Sequence, residues 1–225
     1  LEHEQLVAYF DDEGKVKNFL DNNTIRKLMV RDRVHWLEFE ELAGSLLWDK
    51  YSLALHEDNV GHPKPCDLYT LSSGNLIHHG YSLNQLLKKQ ANLLDTINSV
   101  FEFGGGYGSF IRLIKRMGFN GIVYSYDLPF FSELQKYFLG KLNMDFGVHF
   151  YSNQINEQIN VDLFVGLWSF SESSITVRQE ILKSVTFENC LIAYQPECNG
   201  IDNMAYFNDF KKVNNHLIWF DYLIP

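Results

Sequence analysis

The stretch from Ser99 to Pro129, SVFEFGGGYGSFIRLIKRMGFNGIVYSYDLP, constrains what this chain can fold into more than any other. It opens on a short apolar, β-favouring run, Val100 to Phe103, which breaks into Gly104, Gly105, Gly106 and Gly108. A helical pattern follows, with Phe110, Ile111, Leu113, Ile114 and Met117 on one face and Gly118 as its stop. A second apolar run, Gly121 to Tyr126, ends at Asp127, and Pro129 stands where a further helix would begin. Strand, glycine loop, helix, strand and acid in that order are the grammar of a nucleotide-binding βαβ unit. Glycines let the backbone turn with positive φ and approach a ligand closely. The free N–H groups of the helix start then favour an anion. Asp127, nineteen residues after Gly108, is spaced to accept hydrogen bonds from ribose hydroxyls. The competing reading is a tight turn with no ligand.

A dinucleotide fingerprint requires G-x-G-x-x-G, and counted from Gly104 its third glycine falls on Ser109. What stands instead is an acid followed by G-x-G-x-G: Glu102, Gly104, Gly106, Gly108. This form resembles the first motif of the class I S-adenosylmethionine-dependent methyltransferases. More narrowly, FEFGGGYG with YDLP resembles bacterial sugar O-methyltransferases. The resemblance implies that Glu102 lies near the methionine part of the cofactor, and that Gly104, Gly105, Gly106, Tyr107 and Gly108 line it. Asp127 would hold the ribose, with Leu128 beside it. Many relatives place an acid after the third strand for the adenine amino group; here Ser152-Asn153 stands there, and Asn153 is the substitute acceptor.

The chain's 225 residues suffice for one well-cored α/β domain with an extension. A net charge of −9, with no basic cluster beyond pairs such as Lys88-Lys89 and Lys211-Lys212, disfavours a nucleic-acid partner. Cys66, Cys190 and Cys198 are odd in number and widely spaced, so neither a disulfide framework nor a zinc site is indicated. No apolar run spans a membrane and no signal-peptide pattern is present, so the expectation is a cytoplasmic protein with reduced thiols. The first residue is Leu1 rather than Met, the expectation for a piece of a longer chain. A homo-oligomer stays open.

Residues 1 to about 55 read as helices, with Trp36, Phe39, Ala43 and Leu46 as an apolar stripe, Glu38, Glu40 and Glu41 outside it, and Thr24 as an N-cap. Residues 56 to 80 read as a lid-like loop that holds half of the histidines, His56, His62, His78 and His79, in no metal-ligand spacing. Ser82 with Gln85 three residues on reads as a capping box opening the next helix. In many methyltransferases the segment before the first strand borders the cofactor, which by position makes His78 and Tyr81 substrate-binding candidates and His79 a candidate base.

Beyond Asp127, a helix with Phe130, Phe131, Leu134 and Phe138 inward, a third strand from Gly147 to Tyr151 and a fourth from Val161 to Leu167 are expected. The fourth runs into WSFSESS, where Trp168 and Glu172 sit at the carboxyl end of a strand, the ligand side of such a sheet. Trp168 is a candidate cofactor contact, an aromatic face beside a sulfonium, or else a core plug. Glu172 is the first candidate base, or else a helix-start acid. A fifth strand at Cys190–Gln195, a helix bearing Met204, Phe207 and Phe210, and a sixth strand from His216 to Ile224 complete the pattern. The expected fold is α/β, a Rossmann-like doubly wound, mostly parallel sheet. Residues 1–95 would form a helical cap with the lid-like loop and 96–225 the methyltransferase domain, in which the seventh strand of such sheets is either missing or absent from a short variant.

The resemblance implies methyl transfer from S-adenosylmethionine, with S-adenosylhomocysteine as product, to a hydroxyl of a sugar-like small molecule. Positioning and a base at the hydroxyl would carry the rate. Some sugar methyltransferases use magnesium, but no pair of acids presents itself as its ligands. Two alternatives remain: a non-catalytic cofactor-binding regulatory domain, and an NAD-dependent oxidoreductase, which Ser109 disfavours.

Overall fold

Strong β-formers on both faces of the central runs demand a sheet covered twice, and the fold supplies the covers. In a computed structural model of the chain, residues 9–10, 12–30, 34 and 36–224 are described. The main sheet comprises β1 (Ser99–Phe103), β2 (Ile122–Tyr126), β3 (Val148–Tyr151), β4 (Ile159–Leu167) and β5 (Val185–Ala193). All five are parallel, in the order β3-β2-β1-β4-β5. The principal helices are α1 (Gly74–Leu87), α2 (Ser109–Arg116), α3 (Pro129–Lys141), α4 (Ile175–Ser184) and α5 (Asn203–Val213). This is the expected Rossmann-like α/β fold. The chain leaves β1 toward β2 and later returns past it to β4, so the order reverses between β1 and β4, the crevice where such sheets bind ligands.

The two faces bury separate apolar clusters. Val100, Val123, Leu163 and Val165 pack with α1, α2 and α3. Phe101, Phe103, Val161 and Phe164 pack with Ile181 of α4 and Phe207 and Phe210 of α5. The short N-terminal helices share the first cluster through Phe19, Leu20, Ile25, Leu42 and Tyr51. Arg112 of α2, fully buried, ties them down, its Nε bonding Asp58 at 2.6 Å and its Nη1 the Ala54 carbonyl at 3.0 Å. No described helix is long and apolar enough to cross a membrane.

Five local expectations are corrected. In the helix Trp36–Ala43, Glu38 and Leu42 point inward while Trp36 is 54% exposed, and Leu46 beyond it is fully exposed. A buried hydrogen-bond partner for Glu38 on α1, His78, turns the helix against its own apolar stripe. The N-cap of the helix Asn23–Met29 is Asn22, whose side chain accepts from the amides of Thr24 and Ile25. Residues 74 to 80 are not loop: Ser73 caps α1 by accepting from Leu76 N–H, so His78 and His79 ride on a helix. Ser82 is buried in mid-helix, and Gln85 donates to Glu41 instead of closing a capping box. A short antiparallel pair, Pro65–Cys66 with Tyr69–Ser73, precedes this helix. Finally, His216 to Ile224 forms no strand. Its side chains alternate, but they anchor singly, Trp219 against Phe210 and Tyr222 against Tyr81, and side-chain contacts replace a ladder. The expectation for residues 1–8 lies outside the described residues.

Asp162 shows how a single acid fixes the sheet's register. Its Oδ2 accepts from the amides of Asn98 and Ser99 and from the Ser99 hydroxyl, at 2.7–2.9 Å, pinning the start of β1 to β4. These bonds hold its carboxyl below the ordinary 3.8, the Asn98 amide contributing most. Asp162→Ala should cost about 1–2 kcal/mol in urea unfolding at neutral pH. Because the folded value is depressed, the deficit should shrink as pH falls below 3.8.

Candidate functional site

The carboxyl ends of β1, β2 and β4 converge on the glycine loop. Phe103 pairs with Tyr126, and Gly104 N–H continues the ladder to the Tyr126 carbonyl at 2.7 Å. Gly104 (φ +71°) allows no side chain: a Cβ there would lie 2.2 Å from that of Ser169, whose hydroxyl donates to the Gly104 carbonyl at 3.0 Å. At Gly105 a Cβ would lie 2.4 Å from Oε2 of Glu102, so the loop crosses directly over a carboxyl group. Gly108, left-handed, opens α2.

Glu102 is 4% exposed, and its Oε2 has no hydrogen-bond partner. Burial, and then the charge of Asp127, push its pKa up to about 8. Asp127 ends β2 and is better served: Oδ1 accepts from Leu128 N–H at 2.7 Å, Oδ2 from Gly106 N–H at 2.8 Å and Gln135 Nε2 at 3.2 Å. Burial nonetheless outweighs these bonds and raises it to about 6. A carboxylate has about four acceptor positions, so Asp127 keeps room for one more donor. The site therefore holds two desolvated acids under a glycine loop, short of donors. That combination fits a ligand that brings hydroxyls or a cationic amine.

The structure brings Glu102, Gly104, Gly105, Gly106, Gly108, Asp127 and Leu128 together, with Leu128 65% exposed at the rim. Asn153 lies exposed in the turn after β3. Tyr107 turns away: its ring sits between Phe19 (5.3 Å) and Phe138 (5.1 Å), leaving only its backbone to the loop. Met29 of the N-terminal helices lies beside Gly106 instead, 3.7 Å from where a Cβ would stand.

Trp168 follows β4 with φ +69° and ψ −56°, a strained conformation for a bulky residue that costs of order 1–3 kcal/mol. Its indole N–H donates to His78 Nε2 at 2.9 Å, and His78 Nδ1 bonds Glu38 at 2.8 Å. Glu172 is exposed on the single helical turn Ser169–Glu172, with Gln195 Nε2 at 3.5 Å. His79 packs edge-on against Phe110, and burial, with His78 next to it, pushes its pKa down to about 3, which makes it a weak proton acceptor. Tyr81 faces the C-terminal segment, donating to the Leu223 carbonyl at 2.7 Å.

Sequence reasoning missed Gln135, Ser169, Glu38 and Arg178. Gln135 is a polar residue inside the apolar stripe of α3, fully buried, and that misfit was its signal. Glu38, four residues before Leu42, carries the same signal. Arg178 of α4 is buried, donates to the Ser171 and Ser173 carbonyls and stacks on Tyr206 at 4.5 Å, so it clamps the loop after β4 from beneath.

No family model and no curated protein matches the chain. Among solved structures it is similar to a SAM-dependent methyltransferase from Aquifex aeolicus, at 23% identity over 43% of this chain and 56% of that one, TM-score 0.36. It is also similar to an O-methyltransferase family protein from Burkholderia thailandensis, at 13% identity over 67% of this chain and 46% of that one, TM-score 0.35. A third is coclaurine N-methyltransferase bound to N-methylheliamine and SAH, at 13% identity over 85% of this chain and 64% of that one, TM-score 0.44. The chain spans less than two thirds of the length of each. At such values the fold rests on the chain's own sheet order.

Glu102 gives a stability test. Its unfolded-state value is the ordinary 4.5 and its folded value about 8, so between these the unfolded chain ionises first. Wild-type stability should therefore fall as pH rises through that window and level off above it. Thermal unfolding from about pH 4 to 9 should show a shallower slope for Glu102→Gln, with the variant the more stable near pH 8. A wild type that gains stability across the window would mean that Glu102 is compensated as the anion.

Proposed function

We propose that the protein transfers a methyl group from S-adenosylmethionine to a hydroxyl oxygen of a small, sugar-like acceptor. The observation that carries the reading is the pair of buried acids, Glu102 and Asp127, meeting under the glycine loop at the sheet's reversal point. S-adenosylmethionine, when bound, supplies a methyl group on a positively charged sulfur together with the hydroxyls and amine such acids require. Asp127 would take a ribose hydroxyl on its spare acceptor position, and Glu102 would give up its proton to meet a cationic amine. Gly104 and Gly105 leave the backbone bare for close approach. Trp168 would form the wall on the β4 side, where an aromatic face suits a cation.

The acceptor enters, on this reading, by the loop after β4. Glu172, exposed at its end, would take the proton of an attacking hydroxyl, a part that the buried His79 against Phe110 suits less. The net charge of −9 supports a small acceptor over a nucleic acid.

Calorimetric titration with S-adenosylhomocysteine, with NAD as control, tests the reading. Micromolar binding of the first and none of the second is expected; binding of NAD alone would overturn it. Asp127→Ala should weaken S-adenosylhomocysteine by about tenfold or more, the worth of a charge-assisted hydrogen bond. Unchanged affinity would remove Asp127 from the ribose. Glu172→Gln should leave that affinity intact.

A further inference from the structure

Three elements distant in sequence meet in one buried hydrogen-bond chain: Glu38 on the helix Trp36–Ala43, His78 on α1 and Trp168 after β4. Glu38 and His78 are 0% and 1% exposed. The chemistry fixes its direction. An indole N–H can only donate, so His78 Nε2 must accept and carries no proton. The Glu38 carboxylate accepts, so the imidazole proton sits on Nδ1. His78 is thus the neutral Nδ1–H tautomer, with both ring nitrogens committed within the protein. That leaves it poorly suited to the substrate-binding part its sequence position suggested.

Trp168 is held at every other corner as well. Its N–H donates to the Ala193 carbonyl, and its own carbonyl accepts from the amides of Ser171 and Glu172 and from the Ser171 hydroxyl. The next residue, Ser169, donates to Gly104. A strained backbone persists only where its surroundings over-determine it, and such strain gathers at functional sites. We propose that His78, backed by Glu38, is a positioning residue: it fixes the Trp168 indole against the N-terminal helices and thereby sets the wall beside the glycine loop. What the wall faces rests on the methyl-transfer reading; the hydrogen-bond chain does not.

Three variants separate the roles. His78→Phe removes the acceptor, Trp168→Phe removes the donor and identifies its indole signal, and His78→Gln keeps an oxygen for the indole and an N–H for Glu38. In ¹⁵N-labelled wild type, His78 should show a protonated Nδ1 and a bare Nε2, and the Trp168 indole N–H should exchange slowly. His78→Phe should speed that exchange at least tenfold and weaken S-adenosylhomocysteine about tenfold, the worth of one buried hydrogen bond, while His78→Gln should recover both to within about threefold. A protonated Nε2 in the wild type, unchanged indole exchange in His78→Phe, or lost exchange protection with unchanged affinity would each overturn the proposal. So would failure of His78→Gln to rescue while folded. If His78→Phe does not fold, the wild-type tautomer and Trp168→Phe decide instead, the latter being expected to weaken S-adenosylhomocysteine similarly. Should the wild type bind no S-adenosylhomocysteine, the cofactor reading falls, and tautomer, indole exchange and Gln rescue judge the positioning role alone.

Discussion

Two acids share one dry corner of this molecule, and much of its architecture answers to them. Removing a carboxylate from water costs several kcal/mol unless donors replace the lost solvent. Asp127 recovers part of that cost from two backbone amides and Gln135. Glu102 recovers less: Oε2 is unpartnered, and the group escapes by holding its proton to about pH 8. Glycines above the acids follow from the same constraint, since a side chain at residue 105 would strike the Glu102 carboxyl. At Glu102 the corner is thus built at the expense of stability, a cost an ordinary sheet end does not carry.

The loop after β4 is made rigid by means that an ordinary turn does not need. Arg178 is buried with no acid beside it among the described residues, stacked on Tyr206 and donating to the carbonyls of Ser171 and Ser173. Burial holds its pKa below the ordinary value. Asn203 adds a second donor to Ser171 and one to Gln195. From the other side, Ser169 and His78 tie the same loop to the glycine turn and to α1. A segment fixed from both faces presents its side chains in one arrangement.

The sheet and its glycine loop were legible because they obey local rules. Apolar β-formers, a glycine break and a Pro-led helix each impose geometry on their own neighbours, and the strand and helix positions followed closely from residue 99 to 213, except that β5 begins at Val185, five residues before the expected Cys190. The N-terminal third was misread where a distant partner overrules local pattern. Glu38 looked like a solvated acid because nothing near it in sequence announces His78, forty residues away. Trp36 looked like core for the same reason, since turning Glu38 inward turns Trp36 out. Ser82 and Gln85 imitate a cap, but Ser73 supplies one nine residues earlier and the helix simply runs through. The tail from His216 alternates like a strand, and alternation cannot reveal that no free ladder is taken up.

Those misreadings share a location, and the location has a physical meaning. Glu38–His78, Arg112–Ala54 and Gln85–Glu41 all join the N-terminal helices to α1 or α2 through buried or half-buried polar contacts. A cap that merely covered an apolar face would be cheaper to build from leucine. Polar pairs in a low-dielectric interface are strong only in one arrangement and costly when broken, so they trade stability for a unique docking geometry. That uniqueness is wasted unless something beyond the interface depends on it. Here two contacts reach beyond it: Met29 of the cap lies beside Gly106, and the Glu38–His78 pair holds the Trp168 indole after β4. The helices before the sheet therefore border the glycine loop, and the polar residues that broke the sequence pattern are the ones that fix those helices against α1 and α2.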